Sequence, residues 1–124
     1  MVFKKSIALS LLAVLVGCTK GHLTYITPDG QQKTACATEY TWQPEVDKYA
    51  VEYVLAYCAK KAQAKGYQVL DESLLTLDLT LPTPPAGLQW SHQLAKEQHL
   101  KKAISDRDYG YLIAWLDLQQ SVPE

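Results

Sequence analysis

The chain has 124 residues, twelve Lys and Arg against thirteen Asp and Glu, and a mean hydropathy of −0.15. That length suits one small domain with a modest core. The near-balanced charge, with no basic block, argues against nucleic acid as a partner.

Lys4 and Lys5 precede an apolar run over residues 7–16, and a small residue, Gly17, follows it. A positive start, a short apolar stretch and a small residue are the three parts of an export signal. The run is about half of the roughly 20 residues that a membrane-crossing helix needs, so a permanent transmembrane anchor is the poorer reading. Cys18 follows directly in the tetrad Leu15-Val16-Gly17-Cys18.

This tetrad resembles the lipobox of bacterial lipoproteins, a likeness carried by the first nineteen residues alone. It implies that residues 1–17 are a cleaved signal peptide and that Cys18 becomes the lipidated first residue, carrying three fatty acyl chains such as palmitate. Each buried methylene contributes about 0.8 kcal/mol, so several chains anchor stably where one holds only marginally. The residue after the cysteine is Thr19 and not the aspartate that retains such proteins at the inner membrane. The resemblance therefore implies the outer membrane of a diderm bacterium, facing the periplasm. Loss of the two signal lysines leaves ten basic against thirteen acidic side chains, a net charge near −3.

Residues 18–22 are expected to form the lipidated cysteine and a short tether, and 23–124 a single α+β domain. Residues 23–27 and 32–42 flank Thr27-Pro28-Asp29-Gly30, a turn in which proline presets the first corner and glycine accepts a left-handed backbone. Alternation along the second strand sets Cys36, Tyr40 and Trp42 on the core side. Pro44 and Gly66 bracket a long helix over 44–65, with Val46, Ala50, Tyr53, Val54, Tyr57 and Cys58 on its apolar side. Export places Cys36 and Cys58 where disulfides persist, and both point inward, so they are expected to pair. They are too few for a structural zinc site, and no metal or other cofactor is expected.

A short strand is predicted over 67–70 and a one-sided strand over 75–81, where four leucines alternate with Thr76, Asp78 and Thr80. The proline loop at 82–87 stops it. Residues 88–94 read as irregular or strand-like, and a helix of modest stability follows within 91–104. Residues 109–118 are apolar on both faces and read as a central strand. These elements sum to a two-layer domain, a mainly antiparallel sheet with the long helix packed on one face.

No nucleophile elbow or metal-pair spacing is present, His92 and His99 are expected to be solvated, and no enzyme is expected. After the signal, every aromatic side chain is Tyr or Trp, rings with polar tips that suit contact surfaces as well as cores. Trp90, Leu88, Pro84 and Pro85 are the candidate contact surface. The expected function is a non-catalytic protein-binding or accessory module of the cell envelope. Two other readings are a carrier or inhibitor holding a small hydrophobic or glycan ligand between sheet and helix, and a hydrolase that would need His92 or His99 beside a carboxylate or nucleophile.

Overall fold

In the computed structural model of the chain, the described residues are 19–121; the expected signal and Cys18 lie outside them. Strand β1 (Thr19–Ile26) and strand β2 (Gln32–Tyr40) form the expected antiparallel hairpin. Its turn is closed by Gly30 N–H donating to the Thr27 carbonyl at 2.9 Å, with Gly30 at φ 86°. Strand β3 (Gln68–Val69) pairs with the other edge of β1, giving the order β2-β1-β3. Pairing begins at Thr19, opposite Tyr40. Residues 19–22, expected to form part of a tether, therefore belong to the sheet, four residues ahead of the strand start the sequence pattern indicated.

The register of the hairpin shifts by one residue between Gly21 and Leu23, where Cys36 and Ala37 together face the single residue His22. Cys36 sits at φ 54°, a left-handed conformation that side-chain-bearing residues adopt at a cost. The bulge turns Cys36 toward the helix above. There it forms a disulfide with Cys58, with Cα atoms 6.5 Å apart across a sequence separation of 22.

Helix α1 (Pro44–Ala64) is the centre of the molecule. Proline opens it, Glu45 and Asp47 occupy its first turn where the helix dipole favours negative charge, and Gly66 at φ 82° closes it. The N–H groups of Gly66 and Tyr67 donate to the carbonyls of Gln63 and Ala62, ending the helix in a reversal that only glycine accommodates cheaply. One side of α1 lies on the sheet, where Ala59 and Ala62 pack with Leu23, Val69 and Leu74. The opposite side meets helix α3 (Asp106–Ser121) through Val46, Ala50, Tyr53 and Val54.

The segment 109–118 is thus helical and not the central strand its composition suggested. Asp117 apart, it is apolar round most of its circumference because α1, the short helix α2 (His92–Leu100) and the leucines of the preceding segment cover it from several sides. Residues 75–81 also depart from the expected strand. Glu72–Leu75 is a 3-10 turn, and the chain then runs extended with no strand partner. Its alternation survives: Leu77, Leu79 and Leu81 are half-buried while Thr76, Asp78 and Thr80 are exposed. The inward leucines pack on helices, and Arg107 Nη2 donates to the Asp78 carbonyl at 2.6 Å, pinning the strap. The result is an α+β domain in which the three-stranded sheet covers one face of α1 and a second helical layer covers the other.

Candidate functional site

Three elements converge at the end of the molecule where the described chain begins. Strand β2 ends at Tyr40, opposite Thr19, and the chain turns away through Trp42 to reach the Pro44 start of α1. On α3, Tyr109, Ile113 and Asp117 recur every four residues and so share one face. On α2, His92, Gln93 and Lys96 look across at them. Together these eight side chains enclose a cleft of about 520 Å³.

Both short connections into this region are capped by serine. Ser91 Oγ accepts from the Leu94 N–H at 3.1 Å to start α2, and Ser105 Oγ accepts from the Asp108 N–H at 3.0 Å to start α3. Asp108 Oδ2 reaches back to the Ser105 N–H at 3.5 Å, completing a reciprocal cap.

The rim of the cleft is a hydrogen-bonded relay. His92 Nε2–H donates to Asp117 Oδ1 at 2.8 Å, and the Tyr40 hydroxyl donates to Asp117 Oδ2 at 3.0 Å. Both oxygens of the carboxylate are thereby engaged. Burial, then the charge and hydrogen bond of Asp117, and then the charge of Asp47 push the Tyr40 hydroxyl well above its ordinary range. It remains a neutral donor at any physiological pH. Lys96 has no ion-pair partner among the described residues.

Trp42 is 56% exposed, contrary to its expected place in the core. Strand pairing ends at Tyr40, so the alternation that would have turned Trp42 inward ends with it. Its ring is not loose: it stands edge-on to the buried Tyr109 with centroids 6.0 Å apart. His99 stacks on Tyr109 at 4.3 Å and donates to Asp106 Oδ1 at 2.7 Å. His92 and His99 are therefore each hydrogen-bonded to a carboxylate of α3, zipping α2 onto it. Among the described residues, no serine, threonine or cysteine lines the cleft beside the His92–Asp117 pair.

Trp90, the expected centre of a contact surface, is half-buried; its Nε1–H donates to the Pro82 carbonyl at 2.7 Å and its ring packs among Val46, Ala95 and Tyr109. Pro84 and Pro85 are half-buried, and Leu88 projects from the same loop with 53% of its surface exposed. Asp47 is fully buried at the start of α1, and its Oδ2 has no hydrogen-bond partner among the described residues. No group of three metal-ligating side chains occurs among the described residues.

No family model, curated protein or solved structure matches the chain.

Proposed function

We propose that the chain is a lipid-anchored lipoprotein of the bacterial envelope that binds another envelope protein without catalysing a reaction. Its anchor is an acylated Cys18, and its station is the periplasmic face of the outer membrane. The binding site is the Trp42 cleft. The observation that carries this reading is an exposed tryptophan held edge-on by a buried tyrosine over a preformed hollow. Tryptophan and tyrosine dominate the energetics of protein interfaces because they bury large rigid surfaces at little conformational cost. Lys96, unpaired at the rim, favours a partner segment that follows an apolar side chain with a carboxylate.

The test uses crosslinking in cells of the source organism, followed by recovery of the tagged protein. The wild type is expected to carry a partner that a Trp42→Ala form recovers at least fivefold less well, both forms being equally abundant and equally membrane-bound. A Cys18→Ala form is expected to leave the membrane fraction, since no described helix is long and apolar enough to cross it. Capture that is indifferent to Trp42 would remove the cleft from this role. Membrane retention of the Cys18→Ala form would remove the anchor.

A further inference from the structure

A second cleft, of about 330 Å³, lies between the sheet and α1 on the side of the disulfide. Leu23, Ala62 and Leu118 line it together with Cys36 and Cys58, so its interior is apolar. Tyr25 and Tyr67, whose rings stack in parallel with centroids 5.0 Å apart, form one wall. Two amines stand at its edge, Lys61 and Lys65, the former with Nζ 5.0 Å over the Tyr57 ring. Lys33 sits opposite Tyr25 in the strand register, which places a third amine on that face. Among the described residues, no aspartate or glutamate lines the cleft, although acidic residues outnumber basic ones in the chain.

We propose that this cleft binds a free single-chain fatty acid of medium length, its alkyl chain between sheet and helix and its carboxylate at Lys61 and Lys65. Charge complementarity selects the anion: an alkyl chain needs only the apolar interior, whereas the amines add attraction solely for an acidic head. Size selects a single chain, because the volume falls at the small end of ligand pockets and leaves no room for a two-chain lipid. The three tyrosine hydroxyls are too few to satisfy the many hydroxyls of a sugar. This site is separate from the Trp42 cleft and independent of the anchoring at Cys18.

Titration calorimetry tests it with the full chain carrying Cys18→Ser, which keeps attached acyl groups out of the measurement. The probes are decanoate, decanol and decyltrimethylammonium, each below its aggregation concentration. Decanoate is expected to bind saturably at one site, decanol at least tenfold more weakly, and the cation not at all. A Lys61→Met, Lys65→Met form, altered only at exposed positions, is expected to lose at least tenfold in decanoate affinity with decanol unchanged. Leu118→Trp, which fills the cleft, is expected to abolish both. Equal affinities for decanoate and decanol, no decanoate binding, or decanoate binding indifferent to the lysine changes would each overturn the assignment.

Discussion

Gly110 marks the closest approach of α1 and α3. A β-carbon there would fall 2.6 Å from the Val46 carbonyl oxygen and 3.0 Å from the Ala50 nitrogen, both backbone atoms of the facing helix. Backbone cannot step aside, so Gly110→Ala must part the helices, at a cost of about 2 to 3 kcal/mol. Gly21 is crowded differently: its β-carbon would meet Leu55 Cδ1 at 2.7 Å and Val51 Cγ1 at 2.8 Å, both side-chain tips. Those tips can rotate, so Gly21→Ala is expected to cost about 1 kcal/mol. Urea denaturation of the two variants should rank them in that order.

Buried Tyr111 and half-buried Tyr40 set an upper pH limit. Burial, followed by the hydrogen bond and charge of Glu52, pushes the Tyr111 hydroxyl up to about 12, and Tyr40 is raised as well. The unfolded chain would release these protons near pH 10, whereas the folded chain keeps them. Stability is therefore complete below pH 10 and falls as pH rises beyond it through the folded values. Urea midpoints measured from pH 8 to 11.5 should drop for the wild type and fall less steeply for a Tyr40→Phe, Tyr111→Phe form.

Among the elements, the disulfide links a strand bulge to the middle of α1. In the chain-entropy account, reopening a loop of this length costs about 3 kcal/mol, a large share for one small domain. Reduction, or Cys36→Ala with Cys58→Ala, is expected to lower the unfolding midpoint accordingly, with calorimetry as the check. The pairing was legible because alternation in the hairpin and the helical period of α1 each turned a cysteine inward. The bulge that brings Cys36 into place was not, since no glycine marks it.

The error at α3 has a physical origin. A ten-residue stretch that is apolar except for Asp117 is ambiguous between a doubly buried strand and a helix enclosed on most sides. Ser105 and Asp108, three apart just before the run, were the arbitrating signal, because they form the reciprocal cap that opens a helix. Reading the run as a strand also hid the pattern by which Tyr109, Ile113 and Asp117 line the Trp42 cleft at helical spacing. The alternating leucines of 75–81 show the converse. A period of two reports an extended chain with one side covered, and the cover here is helical.

At the scale of the whole molecule, the α+β class was legible in the hairpin and the long helix. The Trp42 cleft was not visible, because His92, Asp117 and Tyr40 come from three elements whose meeting depends on how α2 and α3 pack. Hydrogen-bonded neighbours 25 and 77 residues apart leave no spacing to read.

The strand that begins at Thr19 carries a mechanical consequence. With acyl chains on Cys18, as proposed, the body would have little leash: a sheet pairing, Thr19 with Tyr40, would stand one residue from the anchor, and the tilt of the sheet would set the tilt of everything behind it. Splicing a flexible glycine-serine spacer between Cys18 and Thr19 would free that orientation while leaving the fold and the lipid untouched.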